Sequence, residues 1–304
     1  MRMQLRTRRD RPAGFTLIEL LVVIAIIAVL VSLTAAAVMK VLGKGPLVRT
    51  RVEIGNMEAA LGIAMKTLNN GSSGATYLPS KIVLREDGKY TPATNPAHAQ
   101  TVQVLTNLFG KGAVNLTTPV QIDWNGDGVI NTGVEYTLEG EECLVFFMGG
   151  IPSAPGSTPA CLGFVKGSNP SPVPVPATAT RYVPFFPFDG ARLIRSPRAG
   201  APANFLVYKD PYGKTAYAYF SWYGAGNDYV LTDCASLGVQ PYYTKSGTAA
   251  SFFNPRGCQI ISAGADGTFG VGGVWDPIKG YGGTGVGNDD MSNFSKNLLG
   301  VGTN

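Results

Sequence analysis

The chain has 304 residues and a formal net charge of +5. Five arginines and one aspartate fall in residues 1–14, so residues 15–304 hold 20 basic against 19 acidic side chains, or +1. Because the excess charge is confined to the N-terminus, the composition gives no support to nucleic-acid binding. The 39 glycines, 21 prolines and 15% charged residues predict one large or two small globular units rich in turns and short strands.

An apolar run of membrane length extends from Ala13 to Leu33 and on to about Val38, with a single acid, Glu19. The arginines before it form the positive flank that keeps an N-terminus on the cytoplasmic side of a membrane. A cleaved secretory signal peptide and an uncut signal anchor are two ordinary explanations. A signal peptide, however, has an apolar core of only about 7 to 15 residues. A carboxylate in hydrocarbon is costly, so Glu19 is expected to have a partner or a function.

Residues 14–19, Gly-Phe-Thr-Leu-Ile-Glu, resemble the N-terminus of type IV prepilins and of type II secretion pseudopilins. The resemblance implies that a prepilin peptidase cuts after Gly14 and methylates the new amine of Phe15. It also implies an assembly role for Glu19. Its carboxylate and the Phe15 ammonium of a neighbouring subunit would attract each other strongly where neither has water.

A second helical segment follows a predicted break. Gly43, Gly45 and Pro46 combine backbone freedom with a lost helix hydrogen bond, so they predict an interruption. Residues 47–70 regain a helical period, and Asn69-Asn70-Gly71 supplies a stop. The apolar face is expected to carry these residues: Val48, Val52, Met57, Leu61, Ala64, Met65 and Leu68. In pilin-like proteins this half of the helix is the spine on which the sheet packs.

The resemblance implies an α+β fold in which a long N-terminal transmembrane helix packs on an antiparallel β-sheet, pilin-like, with loop-rich elaboration. The implied organisation is a leader at 1–14, a transmembrane and filament-core helix at 15–40, an amphipathic helix half at 47–70 and a periplasmic β-rich domain at 71–304. Within that domain, residues 95–205 are a large central insertion and residues 260–294 the calcium-loop region.

The middle of the chain has several strand-like runs separated by polar turns. These are Lys81 to Leu84, Val102 to Leu108, Tyr136 to Leu138 and Cys143 to Met148. Residues 167–180 contain four prolines at alternate positions and predict an extended loop.

Residues 123–131 have the pattern of the first part of an EF-hand loop. Asp123, Asn125 and Asp127 stand at positions 1, 3 and 5, and a glycine at position 6 permits the sharp turn. The bidentate acid expected at position 12 is absent, since Val134 stands there and Glu135 comes one residue late, which leaves either a bulged loop that uses Glu135 or a site without its strongest ligand. The pattern predicts a possible calcium site, and an Asx-rich surface turn is the alternative.

The C-terminal part resembles the major pseudopilin of type II secretion. Asp210-Pro211-Tyr212-Gly213, followed by Tyr217 and Tyr219, is similar to its turn and its tyrosine-bearing strand. Residues 261–267 and 288–294 resemble the two halves of its calcium loop. The resemblance implies side-chain ligands from Asp266, Asp289 and Asp290, and carbonyl ligands from Ala263 and Thr268. The glycine-rich linker between the halves is longer than in the family, although loop closure depends only weakly on length. An ionic turn and phosphate binding are the alternatives.

Four cysteines facing an oxidising compartment suggest disulfides. The local pairings are Cys143 with Cys161 and Cys234 with Cys258, and two other connectivities remain open. The lone histidine, His98, is expected in a solvent-facing loop. Because no hydrolase motif accompanies it, we expect no enzymatic activity.

The sequence therefore favours a structural subunit of a type II secretion pseudopilus. It would be inserted in the bacterial inner membrane with its C-terminal domain in the periplasm. The implied partners are copies of itself, other pseudopilins, prepilin peptidase and the inner-membrane platform, with calcium as a structural cofactor. Two alternatives stay open: a type IV pilin-like fibre subunit for adhesion, motility or DNA uptake, and a membrane-anchored binding protein that does not polymerise.

Overall fold

The computed structural model describes residues 15–42, 44–69, 77–200, 204–246, 249–280 and 285–301. The chain divides into two compact units, Met1–Gly45 and Pro46–Asn304. The predicted leader and Gly43, one of the residues of the predicted break, lie outside the described residues. The prediction of an α+β protein with a long apolar N-terminal helix is confirmed.

The first unit is built on helix α1, Leu17–Leu42. Its segment Leu17–Ala35 has a mean hydropathy of 2.9 and is 0% buried within the chain, and it is long and apolar enough to cross a membrane. A helix that is apolar on all sides and unburied suits surroundings that are themselves apolar.

The second unit combines three further α-helices with short strands. The helices are α2 Gly45–Leu68, α3 Pro96–Phe109 and α4 Gly140–Gly149, and a 3₁₀ turn covers Ala235–Leu237. The strands are β1 Ile82–Leu84, β2 Tyr136–Leu138, β3 Leu193–Arg195, β4 Leu206–Tyr208, β5 Ala218–Ser221, β6 Tyr242–Ser246, β7 Ala249–Phe252, β8 Cys258–Ser262, β9 Gly273–Val274 and β10 Met291–Ser292.

The described strands form small sheets. β1 pairs with β2 and β3 with β4, while the three-stranded sheets have the orders β10-β8-β5 and β7-β6-β9. All of these pairs are antiparallel except β6 with β9, which run parallel. β5 and β8 are buried on both faces, because alternate residues such as Tyr219 and Phe220 enter two different core clusters.

Helix α2 packs one face into the larger core cluster, which agrees with a role as the spine of the unit. Its buried residues are Thr50, Ile54, Met57, Ala60, Leu61, Ala64 and Leu68. The predicted face is wrong at its N-terminal end, because Val48 and Val52 are 58% and 57% exposed. Thr50 and Ile54 take their places in the core, so the helix has a second apolar face directed away from it.

An ion-pair network joins α2 to the β3–β4 hairpin. Glu53 accepts hydrogen bonds from Arg192 Nη1 at 2.9 Å and from the Tyr217 hydroxyl at 3.0 Å. The Arg192 guanidinium also contacts the Tyr208 hydroxyl and lies over the Tyr208 ring. Both partners of the pair are largely buried, and the network extends to Arg49, 3.3 Å from Glu53, and to Asp189, 3.4 Å from Arg192.

Two of the predicted strands are helices. Residues 102–108 lie in α3, whose first turn is capped by Asn95 through its bonds to the backbone N–H groups of Ala97 and His98. Residues 143–148 lie in α4, where Glu139 and Glu142 form a capping box. All ten residues of α4 are buried, and this burial on every side hides the helical period from the sequence. The other two runs do form β1 and β2.

All four cysteines are free thiols, so the predicted disulfides are not formed in this structure. If Gly149 carried a Cβ, that atom would lie 2.4 Å from Cys161 Sγ, so this sulfur lies next to Gly149. Gly149 is six residues, or about 9 Å of helix, beyond Cys143, which places the two sulfurs at different levels of α4. Cys234 and Cys258 belong to different core clusters.

Candidate functional sites

The N-terminal site begins at Phe15, which is 72% exposed. The next residue, Thr16, caps α1. Glu19 Oε2 accepts hydrogen bonds from the Thr16 backbone N–H and hydroxyl, each at 2.8 Å, and the Glu19 N–H donates to Thr16 Oγ1 at 3.2 Å. These reciprocal bonds are a capping box, so Glu19 has a local partner within its own chain. The predicted cleavage residue Gly14 lies outside the described residues.

The two halves of the predicted C-terminal cation loop are in contact. The Asp289 carboxylate accepts hydrogen bonds from the backbone N–H groups of Ala265 and Asp266. Asp266 in turn accepts the Thr268 N–H at 2.7 Å. Gly264 has φ +65°, and a Cβ there would lie 2.4 Å from the Asp289 carbonyl oxygen. Only glycine therefore allows the two segments to approach this closely.

Asp290 is a fully buried acid of this loop, at 0% exposure. Its Oδ2 accepts the Gly270 N–H at 2.8 Å and the Tyr242 hydroxyl at 3.3 Å. Its Oδ1 is buried and has no hydrogen-bond partner among the described residues, and the same is true of Asn288 Oδ1. Burial raises the pKa of Asp290 to about 7, and the nearby carboxylates of Asp289 and Asp266 add to the effect.

The side-chain and backbone oxygens of this C-terminal loop are of the kind that bind a hard cation. Buried oxygens without donors are what such a cation would satisfy, and calcium takes carboxylate, amide and carbonyl oxygens together. Ala263 is buried at the end of β8, and Thr268 is exposed. In the part of the chain that the structure describes, no group of three or more His, Cys, Asp or Glu side chains is arranged to hold a metal. A cation here would therefore rely on amide and backbone oxygens as well as carboxylates.

The predicted Asp-Pro-Tyr-Gly turn lies next to this loop. It reverses the chain between β4 and β5, with the Gly213 N–H donating to the Asp210 carbonyl at 2.9 Å. Asp210 is fully buried, and its Oδ2 accepts the Ser262 hydroxyl at 2.7 Å. Ser262 is the last residue of β8, so the turn is tied to the strand that leads into the candidate cation loop.

The 123–131 loop has the local geometry that its sequence predicts. Asp123 accepts the N–H groups of Gly126 and Gly128 at 2.7 and 2.9 Å. Asn125 accepts the Asp127 N–H at 2.9 Å, and Asp127 accepts the Val129 N–H at 2.8 Å. The loop is thus a chain of Asx turns, whether or not a cation occupies it.

Glu86, two residues after the end of β1, closes this loop from outside. It is 0% exposed, and its Oε2 accepts the Asn131 N–H at 2.8 Å and the Asn131 side-chain amide at 3.0 Å. The same amide donates to Asp127 Oδ2 at 3.1 Å. Burial raises the pKa of Glu86 and that of Asp123. Acidic oxygens from β1 and from the loop therefore share one buried neighbourhood.

Among known protein families, the one described as the prokaryotic N-terminal methylation motif matches residues 9–35. The N-terminal segment is of the prepilin type. Together with the apolar helix α1, the match supports a type IV pilin-like protein that is processed by a prepilin peptidase and anchored in a membrane. No curated protein and no solved structure matches the chain.

Outside the prepilin-type segment, the structure corrects the expectation for His98, which is buried at 2% exposure on α3. Its Nδ1 accepts the Thr91 N–H at 3.1 Å, and its Nε2 lies 3.1 Å from Glu135 Oε1. Glu135 also pairs with Arg85 Nη1 at 2.9 Å. Glu135 is thus engaged with these two side chains, whereas Glu86 bonds the 123–131 loop itself.

The sequence patterns did not identify Glu86, Asn131 and Asn288 as residues whose side-chain oxygens could bind a cation. Asn131 stands at position 9 of the loop pattern, which is a ligand position in EF-hands. The sequence therefore did contain an indication that Asn131 could be a ligand. Asn288 directly precedes the paired aspartates. Glu86 gave no signal, since it reaches the loop only through the pairing of β1 with β2.

Proposed function

We propose that this protein is a pseudopilin, a structural subunit of a type II secretion pseudopilus, and that it acts mechanically rather than as an enzyme. The observation that carries the proposal is the joined C-terminal loop, in which the Asp289 carboxylate receives two backbone N–H groups from the other half. The Asp210–Ser262 bond ties the Asp-Pro-Tyr-Gly turn to that loop. These are the two elements that resemble the major pseudopilin.

Assembly would proceed through α1 and the outer face of α2. Val48, Val52 and Ile63 are each more than half exposed, and nothing lies within 4 Å of a Cβ placed on Gly55 or Gly62. This face lies opposite the packed one and is open to a neighbouring subunit. In the filament, Glu19 would exchange its Thr16 bonds for the Phe15 ammonium of a neighbour, because that charge pair is stronger away from water.

Processing can be tested directly. Gly14→Leu is expected to block cleavage, because the peptidase must accept the residue at the cut. The chain is co-expressed with a prepilin peptidase, and intact-mass spectrometry determines its N-terminus. Wild type should begin at methylated Phe15, and so should the control Gly55→Leu, whose position has open space around it. A Gly14→Leu chain that still begins at methylated Phe15 would contradict the processing hypothesis.

The secretion role and the fibre alternative differ in phenotype. Deleting the gene in the source organism is expected to abolish export of folded proteins to the medium and to leave surface fibres unchanged. Loss of fibres, adhesion or DNA uptake with normal export would instead support the type IV pilin alternative. If both are normal and the protein stays monomeric in the membrane, a non-polymerising anchored binding protein is the better description. Secretin and secretion-ATPase genes next to this gene would favour the secretion role.

We further propose that calcium binds at the C-terminal loop. Asp266, Asp289 and Asp290 would hold it once binding brings their carboxylates together, since they are not arranged as a metal site in the described structure, with Asn288 and the carbonyls of Ala263 and Thr268 available to complete the oxygen shell. The unpartnered Asp290 Oδ1 supports this, because a buried carboxylate oxygen without a donor is costly. When bound, the cation would supply positive charge that pins the two loop segments together.

A second calcium is proposed at the 123–131 loop, with Glu86 as the acid that the loop itself lacks. The ligands would be Asp123, Asn125 and Asp127 with Glu86, whose carboxylates would have to move together on binding, and the burial of Glu86 beside the loop supports the proposal. Its replacement by glutamine removes the charge that a divalent cation needs and keeps the shape.

The stoichiometry of calcium distinguishes the two sites. Elemental analysis of the full chain in detergent micelles after equilibrium dialysis is expected to find two calcium ions in wild type and one in Glu86→Gln. The control Glu58→Gln removes an exposed acid from α2 and should keep both. Two ions in Glu86→Gln would contradict the role of Glu86, and no calcium in wild type would contradict both sites.

A further inference from the structure

A cavity of about 430 Å³ lies in the second unit, and Lys214 and Thr215 in its lining bond the C-terminal candidate cation loop. It is bounded by the β3–β4 hairpin, the 3₁₀ turn and the first turn of α4. Its apolar walls include Ile194, Val207, Ala216 and Leu237. Its size is that of small-molecule sites in proteins, which are mostly apolar with a few placed polar groups.

Glu141 is the acidic group of this cavity. It stands in the first turn of α4 and is 3% exposed. Its Oε1 accepts the Ser236 hydroxyl at 2.5 Å, whereas its Oε2 is buried and has no hydrogen-bond partner among the described residues. The neighbouring cation Arg198 does not neutralise it, because that guanidinium is bonded to Glu142 at 2.8 Å. A donor for Oε2 is therefore missing from the described part of the chain itself.

Two lysines line the same cavity. Lys209 is half-buried and has no acidic partner among the described residues. The Lys214 ammonium donates to the Ala265 carbonyl at 2.7 Å. A ligand with only a positive charge would be repelled by these lysines, and a ligand with only a negative charge would be repelled by Glu141. A molecule that carries both charges on an apolar body avoids either conflict.

We propose that the Glu141 cavity binds a zwitterionic α-amino acid or short peptide with an aliphatic side chain. Its ammonium group would donate to the Glu141 carboxylate once a rotation of that side chain turns the closed-off Oε2 into the cavity, its carboxylate would accept from Lys209, and its side chain would pack on the apolar walls. The ammonium supplies the donor that Oε2 lacks, and the aliphatic group removes the exposed apolar wall from water.

Isothermal titration calorimetry on the full chain in detergent micelles tests this with L-leucine and the dipeptide Leu-Leu as probes. Saturable binding of either one is expected, and which of the two binds more tightly distinguishes a free amino acid from a peptide. N-acetyl-leucine lacks the ammonium and leucinamide lacks the carboxylate, so each is expected to bind at least about tenfold more weakly than leucine. No saturable binding of leucine or Leu-Leu up to about 10 mM overturns the proposal, since that limit corresponds to no useful affinity. Equal binding of either blocked analogue overturns it too.

Two variants assign the contacts. Glu141→Gln and Lys209→Met are each expected to weaken leucine binding by about tenfold or more, because each removes one charged partner. Glu58→Gln, an exposed acid outside the cavity, is expected to bind as wild type does. Unchanged binding in Glu141→Gln overturns the assignment. If Glu141→Gln does not fold, the blocked analogues on the wild-type chain and the Lys209→Met variant still decide the outcome.

Discussion

Replacing Asp290 with asparagine removes a buried charge and keeps the shape of the side chain. In the unfolded chain this carboxyl titrates near its ordinary pKa of 3.8, whereas burial raises its pKa in the folded chain to about 7. Between these values the folded chain binds the proton more tightly. The free energy of unfolding therefore falls as the pH rises from 3.8 to about 7. A difference of about three pKa units corresponds to a penalty of about 4 kcal/mol for the wild type above neutral pH without a cation.

Asp290→Asn is thus expected to be more stable than wild type at about pH 8 in a chelator, by up to about 4 kcal/mol, and close to wild type at about pH 4. Urea unfolding of the full chain in detergent, followed by tryptophan fluorescence, measures this. With a urea dependence of about 2 to 3 kcal/mol per molar, the midpoint should rise by about 1 to 2 M.

Calcium should reverse the order of stability at the higher pH. It would stabilise wild type, whose Asp290 carboxylate it compensates, and would do less for the variant. The matched control is Asp276→Asn, an exposed acid in the glycine-rich linker, which should show neither effect. The reasoning about burial would be refuted by an Asp290→Asn chain that is less stable than wild type at both pH values in the chelator. An equal response of both chains to calcium would refute the role of Asp290 in binding.

The same unfolding measurement tests two other features. Gly264→Ala should cost about 2 kcal/mol more than Gly128→Ala, because both glycines have positive φ but only at Gly264 would the new Cβ meet the Asp289 carbonyl; equal losses would contradict the close approach. Arg192→Met should cost about 3 kcal/mol, since it leaves the largely buried Glu53 with only the half-exposed Arg49 as an ion-pair partner. Adding Glu53→Gln should recover more than half of that loss, and simple additivity of the two losses would show that the pair is not coupled.

Helices α3 and α4 show where sequence patterns fail in this chain. Both were expected to be strands because their apolar runs are short. The capping signals were present, with Asn95 before Pro96 and Glu139 three residues before Glu142. Burial of every residue of α4 removed the apolar and polar alternation that would have identified a helix.

The face of α2 could be predicted only in part. Met57, Leu61, Ala64 and Leu68 are buried as their spacing indicates, but Val48 and Val52 are exposed. Sequence shows that a residue is apolar and not which neighbour covers it. A helix with two apolar faces therefore has no unique inward direction until the rest of the unit is packed.

The sequence by itself determined the features that depend on consecutive residues. These are the prepilin-type segment with its apolar helix, the Asp-Pro-Tyr-Gly turn and the Asx turns of the 123–131 loop, where the partners are at most a few positions apart. Tertiary structure alone decided that Glu86 closes that loop, that Asp289 receives backbone N–H groups of the other C-terminal loop segment, and that Glu141 lines a cavity. These contacts join residues far apart in the chain, and they depend on how buried surfaces pack, which no local pattern specifies.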